Sequence, residues 1–378
     1  MISNKKKIIF VTATRAEFGK LKSLIKTLKN RKEFKIYIVV TGMHMIKRFG
    51  YTYSEVTKVI RTKIIKFKNQ SLGDRLEIIL TKTSEKFSKI VTKINPDLIV
   101  IHGDRVEALA CAVVGSLNHI LTAHIEGGEV SGTIDDTIRH AVTKLSHVHF
   151  VGSNIAKKRV EKMGEIKNHI FNVGSPDVDI ILNKKLPSYL SVKKRYSIEF
   201  DNFSILLWHP VTSQVKNLRD DTNKLINFLK KLNQNFVVIY PNNDPGSKII
   251  LDCYSKIKNE KFKIVKNLRF EYFLTLLKTA KYIIGNSSSA IYEAPVLRTP
   301  GIDIGERQNK RIRSKIVKHF SIDELNADKI QRFLNTYKPI KKKFYGTGNS
   351  SQKILKILQK NNFWKIPTQK FFSDIDLS

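Results

Sequence analysis

The stretch PDLIVIHGDRVEALACAVVGSLNHILTAHIEGGE, residues 96–129, decides the fold class. It contains an apolar run at 98–101, an amphipathic segment at 105–117 and a second apolar run at 121–124. Two short apolar runs on either side of a helical pattern predict parallel strands joined by a helix. Because the runs are continuous rather than alternating, they predict a sheet that is covered on both faces. The stretch therefore predicts an α/β domain built on a doubly wound parallel sheet.

The same alternation continues through most of the chain and predicts further strands at 8–11, 36–40, 147–151, 171–173, 205–208, 237–240, 263–265, 282–284 and 301–304. A polar, lysine-rich stretch at 182–202 interrupts the series. At 378 residues the chain is also longer than one hydrophobic core usually supports. We therefore predict two Rossmann-like doubly wound α/β domains facing a cleft, at 1–180 and 181–360. A tail at 361–378 is expected to pack back on the first domain.

The most prominent feature of the composition is its positive charge. The chain has 68 Lys and Arg against 33 Asp and Glu, a formal net charge of +35. A nucleic-acid-binding protein would have such a charge. However, the basic residues are spread from Lys5 to Lys370, and the sequence has no zinc-finger, RNP or basic heptad pattern. We expect no nucleic-acid partner and interpret the charge as a lysine-rich surface.

Other classes of protein are excluded by simpler patterns. No apolar run is long enough to span a bilayer, and the short run at 8–13 does not have the pattern of a signal peptide. Cys111 and Cys253 are far apart, which excludes a disulfide scaffold or a cysteine-ligated zinc site. His147 and His149 share one face of a predicted strand, but no third ligand has a set spacing from them. We expect a cytoplasmic protein with no integral membrane contact, no bound metal and no cofactor.

The first predicted strand runs into TATRAEFGK at 12–20. A strand, a turn containing Arg15 and a helix containing Lys20 form an arrangement typical of anion binding. The helix N-terminus has free N–H groups, and an arginine can bind a phosphate with two hydrogen bonds. The alternative interpretation is a surface arginine that caps the turn.

Three carboxylates in the first domain follow predicted strands or begin predicted helices. They are Asp104 in HGDR at 102–105, Glu126 in HIEGGE at 124–129 and Asp135 in GTIDD at 132–136, and Arg105 lies beside the first of them. Because the carboxyl ends of parallel strands meet at one edge of a sheet, we expect these carboxylates to converge. Clustered carboxylates raise one another's pKa, so one can act as an acid and another as a base. The alternative is structural: Asp104 caps one helix, Asp135 or Asp136 caps the next, and Glu126 pairs with an arginine.

The second domain carries polar residues after its predicted strands, at His209, Asn242, Ser287, Ser288 and Arg307. The serines lie in GNSSSA at 285–290, where small hydroxyl residues that open a helix predict a second phosphate-binding turn. We expect Glu293 about one and a half turns into that helix, where it could accept hydrogen bonds from the two hydroxyls of a ribose. The alternative is a serine N-cap followed by an acidic residue in the first turns of the helix.

Taken in order, these motifs resemble one family. They are RAE at 15–17, HGDR at 102–105, HIEGGE at 124–129, GTIDD at 132–136, HPVT at 209–212, GNSS at 285–288 and GERQ at 305–308. The ordered set closely resembles the hydrolysing UDP-N-acetylglucosamine 2-epimerases of bacterial sialic acid biosynthesis. The resemblance covers nearly the whole chain and implies the two-domain glycosyltransferase-B architecture and a homodimer.

The resemblance also implies a reaction: UDP-N-acetylglucosamine and water give N-acetylmannosamine and UDP through a 2-acetamidoglucal intermediate. It assigns catalysis to Asp104, Glu126 and Asp135. By the same resemblance, the substrate-binding residues are Arg15, Lys20, Arg105, His209, Asn242, Ser287, Ser288, Glu293 and Arg307. Of these, His209 and Asn242 would bind the nucleotide, and Glu293 would bind the ribose. No cofactor is implied.

The chain departs from the family pattern in two places. Ser289-Ala290 stands where relatives often have Cys-Gly, and Gly19 replaces a hydroxyl residue found in some members. Neither departure removes a proposed catalytic group.

Three alternatives stay open, partly because the contacts to C4 and C6 of the sugar cannot be read from the sequence. They are the same reaction on a UDP-diacetamido-trideoxyhexose or a GDP-linked sugar of legionaminic acid pathways, a glycosyltransferase of the same fold, and a nucleotide-sugar sensor without turnover.

Overall fold

The computed structural model describes residues 5–60, 62–183, 185–311, 314–338 and 345–374. Their contacts divide the chain into two units. The first contains the described residues of 5–129, 135–183 and 345–374, and the second those of 130–134 and 185–338. No helix within these ranges is long and apolar enough to cross a membrane.

The first unit is a seven-stranded parallel sheet with strand order β3-β2-β1-β4-β5-β6-β7. The strands are β1 (Lys6–Thr12), β2 (Phe34–Val40), β3 (Lys63–Lys66), β4 (Leu98–His102), β5 (Thr122–Ile125), β6 (Val148–Val151) and β7 (Ile170–Asn172). The helices are α1 (Arg15–Lys29), α2 (Tyr53–Val59), α3 (Leu76–Ile94), α4 (Val106–Leu117), α5 (Ile134–Leu145), α6 (Asn154–Lys162) and α7 (Pro176–Asn183).

Both faces of this sheet are buried, as the continuous apolar runs predict. Along β1, Ile8 and Phe10 belong to the core on one face, whereas Ile9 and Val11 belong to the core on the other. Successive side chains of a strand point to opposite faces, so a strand that is covered on both sides must be apolar at every position. This arrangement fixes the strand ends, and the loops that follow them, at one edge of the sheet.

The second unit is a six-stranded parallel sheet with strand order β10-β9-β8-β11-β12-β13. The strands are β8 (Ser204–Leu207), β9 (Phe236–Ile239), β10 (Phe262–Val265), β11 (Ile283–Gly285), β12 (Gly301–Ile304) and β13 (Val317–Phe320). The helices are α8 (Tyr189–Tyr196), α9 (Leu218–Lys231), α10 (Ser247–Ser255), α11 (Phe270–Thr279), α12 (Glu293–Leu297) and α13 (Ala327–Thr336). The prediction of two doubly wound parallel-sheet α/β domains is confirmed.

The chain returns to the first unit before the predicted tail begins at residue 361. Helix α14 (Ser350–Leu358) already packs there, with Ile354 and Leu358 in the core that contains Ile8. The Asp179 carboxylate accepts hydrogen bonds from the backbone N–H groups of Ser350 and Ser351, at 2.8 and 2.7 Å. These bonds satisfy donors at the start of α14 that have no partner within the helix. They fix the start of the helix on the first unit.

Candidate active site

The predicted anion-binding turn lies between β1 and α1. Thr14 is the N-cap of α1 and forms a capping box with Glu17. The Glu17 carboxylate also accepts a hydrogen bond from the Ala13 N–H at 2.7 Å. Arg15 is the first residue of α1, and its guanidinium pairs with the carboxylate of Glu55 on α2. The turn is therefore fixed at the carboxyl end of β1, and Arg15 is oriented by a second helix.

Two interacting carboxyl groups, Glu17 and the buried Glu107, lie near Arg105. Glu107 is buried, its Oε1 accepts a hydrogen bond from Gln70 at 2.5 Å, and its Oε2 lies 3.7 Å from Arg105 Nε. Burial raises the pKa of Glu17 to about 7, and the charge of Glu107 adds to the effect. The backbone N–H groups of Ala13 and Thr14 and the charge of Arg105 partly offset this rise in the pKa of Glu17. Arg105 thus balances negative charge at the start of α4.

Asp104 lies beyond the end of β4 and pairs with Arg139, which projects from α5. Arg139 is almost fully buried, with a side-chain exposure of 1%, and its Nη1 also lies 3.3 Å from the Glu129 carbonyl oxygen and 3.4 Å from Asp136 Oδ1. The N-cap of α4 is Arg105, so Asp104 does not cap that helix. The structure therefore does not support the N-cap interpretation of Asp104 and places this carboxylate in an ion pair with a buried arginine.

Glu126 follows β5 directly and adopts a left-handed backbone conformation, with φ of 73°. This conformation costs about 1–3 kcal/mol for a residue with a side chain and is concentrated at functional sites. Glu126 Oε2 lies 3.1 Å from His102 Nε2 and 3.6 Å from Lys20 Nζ. Lys20 Nζ in turn lies 3.9 Å from Asp177 Oδ2. Burial alone would raise the pKa of Glu126, but Lys20 and His102 outweigh it, and the pKa is lowered. Glu126 is therefore ionised at neutral pH.

The loops that carry Asp104 and Glu126 lie next to each other. Strands β4 and β5 are parallel neighbours in which His102 pairs with Ile125, and the Gly103 N–H donates to the Ile125 carbonyl at 2.9 Å. Asp135 is in the first turn of α5, four residues before Arg139, and this spacing puts both side chains on one face of the helix. In the first unit, Asp104 thus pairs with Arg139, Glu126 with Lys20, and Asp135 shares the helix of Arg139.

In the second unit, the candidate residues gather around Asn286, which follows β11. The Asn286 side chain accepts from the His209 N–H at 2.7 Å and donates to the His209 carbonyl at 2.8 Å. His209 Nδ1 accepts from the backbone N–H of Asn242 at 3.1 Å, which leaves the proton of the neutral ring on Nε2. Arg307 Nη1 and Gln308 Nε2 lie 3.4 and 2.8 Å from the Asn286 carbonyl oxygen. The loops after β8, β9, β11 and β12 are therefore linked.

The serine turn differs from its prediction in one respect. Ser287 accepts a hydrogen bond from the Ser289 N–H at 3.2 Å and caps a single 3₁₀ turn, Ser288–Ala290. The predicted continuous helix does not form, and Glu293, which is buried, is instead the first residue of the separate helix α12. Pro295 has no N–H to donate back to Ile291, so an unbroken α-helical ladder through this segment is impossible.

Several residues of these clusters have no role predicted from the sequence, and four of them are His102, Arg139, Asp177 and Asn286. Two of them have a sequence signal. The spacing of Asp136 and Arg139 places both on one helix face, and an asparagine after a buried strand is a residue type that can join two loops. His102 and Asp177 have no such signal, because their contacts to Glu126 and Lys20 join distant parts of the chain.

The histidine pair that suggested half of a metal site makes protein contacts instead. His147 Nε2 donates to the Thr368 carbonyl at 2.9 Å, and His149 Nε2 lies 2.9 Å from Glu165 Oε2. Within the described ranges, no three His, Cys, Asp or Glu side chains are grouped so that they could hold a metal ion.

The sequence and the fold of this chain have counterparts among known proteins. The sequence profile of the family described as UDP-N-acetylglucosamine 2-epimerase matches residues 26–359. A UDP-N-acetylglucosamine 2-epimerase of Neisseria meningitidis serogroup B is 40% identical over 376 residues, which cover 98% of this chain and 100% of the relative. A GDP/UDP-N,N'-diacetylbacillosamine 2-epimerase (hydrolyzing) of Campylobacter jejuni is 37% identical over 333 residues, 85% of this chain and 86% of the relative.

Among solved structures, the UDP-GlcNAc 2-epimerase of Methanocaldococcus jannaschii in complex with UDP-GlcNAc and UDP superposes with a TM-score of 0.78. The superposition covers 93% of this chain and 99% of that structure at 22% identity, so it supports the fold. The two parallel-sheet α/β units match the glycosyltransferase-B-like fold of such epimerases. From the profile and the relatives together, the chain belongs to the UDP-N-acetylglucosamine 2-epimerase family.

Proposed function

We propose that the protein is a hydrolysing 2-epimerase that converts UDP-N-acetylglucosamine and water into N-acetylmannosamine and UDP, for sialic acid biosynthesis. The observation that carries this proposal is the pair of neighbouring acid groups, Asp104 and Glu126, which are held by the buried cations Arg139 and Lys20. A plain glycosyltransferase needs an acceptor site, whereas an epimerase needs additional groups that move protons.

The chemistry demands both carboxylates and cations. In the first step, the C2–H and C1–O bonds break, a C1–C2 double bond forms and UDP leaves; in the second, water adds oxygen to C1 and a proton to C2 on the opposite face. The C2 proton is weakly acidic because no carbonyl is adjacent to C2. Departure of the diphosphate must therefore run ahead and leave positive charge at C1, which carboxylates stabilise.

In the first unit, Asp104, Glu126 and Asp135 move protons at C2 and stabilise C1. The lowered pKa of Glu126 supports a role that needs the ionised form, as proton acceptor or as the group that stabilises C1. Arg15 and Arg105, at the starts of α1 and α4, neutralise charge on the leaving diphosphate.

In the second unit, the groups linked through Asn286 bind the nucleotide. His209 and Asn242 contact the base or sugar of UDP, and Ser287, Ser288 and Arg307 contact the diphosphate. Glu293, buried at the start of α12, accepts hydrogen bonds from the ribose hydroxyls. We expect the enzyme to act as a cytoplasmic homodimer without a cofactor.

A second substrate is favoured by one specific observation. The Campylobacter jejuni relative, 37% identical, is named for GDP- and UDP-linked N,N'-diacetylbacillosamine and is described as hydrolyzing. That name supports the hydrolytic outcome proposed here. It also makes a diacetamido sugar the first alternative to N-acetylglucosamine.

Proton NMR of UDP-N-acetylglucosamine incubated with the protein in D₂O tests the proposal. We expect free UDP and N-acetylmannosamine that carries deuterium at C2. UDP-N-acetylmannosamine would indicate epimerisation without hydrolysis, and N-acetylglucosamine without deuterium would indicate hydrolysis by a glycosyltransferase. If there is no turnover, the diacetamido and GDP-linked sugars are tested in the same way.

Two amide substitutions test the assignment of the carboxylates. Asp104→Asn and Glu126→Gln should each lower the rate about 10²–10⁴-fold, because each removes a group that transfers a proton or stabilises charge. Both variants should still bind UDP. Glu85→Gln, on the exposed surface of α3, is the matched control and should retain full activity. Wild-type turnover in both variants would refute the assignment.

A further inference from the structure

The C-terminal segment 366–374 makes an ordered set of contacts on the first unit. The Thr368 carbonyl accepts from His147 Nε2 at 2.9 Å, and the Ser373 N–H donates to the Gly164 carbonyl at 3.0 Å. Gly164 has φ of 76°, and a Cβ built on it would lie 2.3 Å from the ring of Phe372. A β-carbon at position 164 would overlap the present position of the Phe372 ring, so the segment and Gly164 lie in close contact.

Lys370 is the central contact of this segment. Its Nζ lies 2.5 Å from the Lys144 carbonyl, 2.7 Å from the Ser146 carbonyl and 3.2 Å from the Thr143 carbonyl. These carbonyls lie at or just beyond the C-terminal end of α5, where the helix carries partial negative charge, and the Thr143 carbonyl also accepts from the Ser146 N–H at 3.1 Å. With a side-chain exposure of 20%, the ammonium group acts as a cap for the helix.

The charge of Lys370 is balanced by Glu165. Glu165 Oε2 lies 2.5 Å from Lys370 Nζ and 2.9 Å from His149 Nε2, and Glu165 Oε1 lies 2.8 Å from Lys144 Nζ. Burial favours the neutral acid, but His149, Lys370 and Lys144 outweigh it and lower the pKa of Glu165 to about 2. Glu165 is an anion at neutral pH, and Lys370 is held between this anion and the carbonyls of α5.

The other end of α5 carries groups of the candidate active site. Asp135 lies in its first turn and Arg139, the partner of Asp104, in its second. From Asp135 to Thr143 is eight residues, about 12 Å along the helix axis. One helix therefore joins the carbonyls capped by Lys370 to the catalytic candidates.

A side-chain path gives a second connection. Thr143 Oγ1 lies 3.1 Å from His124 Nδ1, and His124 Nε2 donates to the Gly103 carbonyl at 2.8 Å. Gly103 precedes Asp104. Both Arg139 and the loop of its partner Asp104 are thus anchored to the turn of α5 that Lys370 caps.

We propose that Lys370 is a positioning residue for the epimerase reaction: it fixes the C-terminal turn of α5, and through that helix the geometry of Asp135, Arg139 and Asp104. It contacts neither substrate nor reacting atoms. This inference rests on the proposed function, because the groups that it positions are the proposed catalytic ones.

Lys370→Met tests the inference, because it keeps the side chain's length and removes its charge and donors. Glu165 keeps His149 and Lys144 as partners, so the variant is expected to fold. We expect kcat to fall about ten- to hundredfold, which is the range for small misplacement of a catalytic group. KM and the affinity for UDP should be unchanged. Lys370→Arg, which retains a cation, should recover most of kcat, and Lys365→Met, at an exposed position just before this segment, should match the wild type.

Hydrogen–deuterium exchange of the peptide that covers 134–145 gives a readout that does not depend on turnover. Exchange should be faster in Lys370→Met and normal in Lys370→Arg and Lys365→Met. Unchanged exchange and unchanged kcat in Lys370→Met would overturn the proposal. A second result would also overturn it: Lys370→Met loses UDP binding as well as kcat, and Lys370→Arg restores neither. That result would indicate a general structural role for Lys370. If Lys370→Met does not fold, Lys370→Gln, which keeps a donor, is compared in the same way.

The two hypotheses fail in different ways. If the wild type does not convert any of the tested nucleotide sugars, the proposed function is wrong, whereas the exchange experiment still decides whether Lys370 fixes α5. If the wild type is active and Lys370→Met behaves like it in both measurements, only the inference about Lys370 is wrong.

Discussion

Removal of the Lys20 ammonium group should change how the activity depends on pH. Lys20 Nζ lies 3.6 Å from Glu126 Oε2, and both side chains are largely buried, with exposures of 11% and 17%. Burial lowers the pKa of His102, the other close neighbour of Glu126, so at neutral pH that ring does not carry a full charge. Lys20→Met therefore removes a full positive charge beside Glu126, and the pKa of that carboxyl should rise.

The distance sets the size of the effect. Two unit charges at 3.6 Å interact with about 1 kcal/mol at the dielectric constant of water and about 5 kcal/mol at an effective value of about 20. Since about 1.4 kcal/mol corresponds to one pH unit, the acidic limb of kcat/KM should move upward by about one to three pH units. Activity is then lost at a higher pH as the solution is acidified, because Glu126 must be ionised.

The assay is kcat/KM for UDP-N-acetylglucosamine between pH 4.5 and 8.5, measured as release of UDP. Lys26→Met, at an exposed position of the same helix, is the control and should keep the wild-type profile. An acidic limb at the same pH in Lys20→Met and the wild type would refute the reasoning. A uniform loss of kcat/KM at every pH would refute it too and would indicate that Lys20 acts on the substrate rather than on Glu126.

Three further predictions concern other parts of the chain. Glu293→Ala should weaken UDP binding about ten- to hundredfold, measured by calorimetry, because it removes charged hydrogen bonds to the ribose. Glu260→Ala, at an exposed position, is the control and should not change the affinity. An unchanged affinity in Glu293→Ala would argue against a ribose contact. The pKa of Glu17 is raised from 4.5 to about 7, which means that the folded protein favours the protonated carboxyl. The contribution of Glu17 to the free energy of unfolding is therefore complete below about pH 4.5 and is lost as the pH rises through 7. Glu17→Gln should remove this dependence in urea unfolding at pH 5 and 8. Asp179→Ala removes the acceptor of two backbone N–H groups at the start of α14. The free energy of unfolding should therefore fall by about 1–2 kcal/mol. An unchanged midpoint of urea unfolding would contradict this prediction.

The sequence predicted the central strands and missed two strands at the sheet edges. β3, with the sequence KIIK, and β13, with VKHF, are the terminal strands of their sheets. A central strand is covered on both faces and must be apolar throughout, so it is visible as an apolar run. An edge strand is partly exposed and is often protected by lysine, so its run is broken. The rule that found the central strands therefore missed β3 and β13, although it found the other two edge strands, β7 and β10.

The same limit applies to the candidate site. Strand ends identify the loops, and these loops carry Asp104, Glu126 and His209 as expected. The partner of each group depends on long-range packing: Arg139 is 35 residues from Asp104 in sequence, and Asn286 is 77 from His209. A single sequence gives residue types and local spacing, but it does not say which buried cation faces which carboxylate.

Exposure rather than net charge decides what a lysine does in this protein. Lys89 lies 2.7 Å from Glu85, closer than Lys20 lies to Glu126, but the side chains of that pair are 73% and 62% exposed. Water and salt screen such an exposed pair, so it contributes little to stability, whereas the more distant Lys20–Glu126 pair interacts more strongly because it is desolvated. Ranking the pairs by distance alone would reverse their importance. A charge of +35 consequently says little about function, because it counts exposed lysines and the buried Lys20 and Lys370 alike.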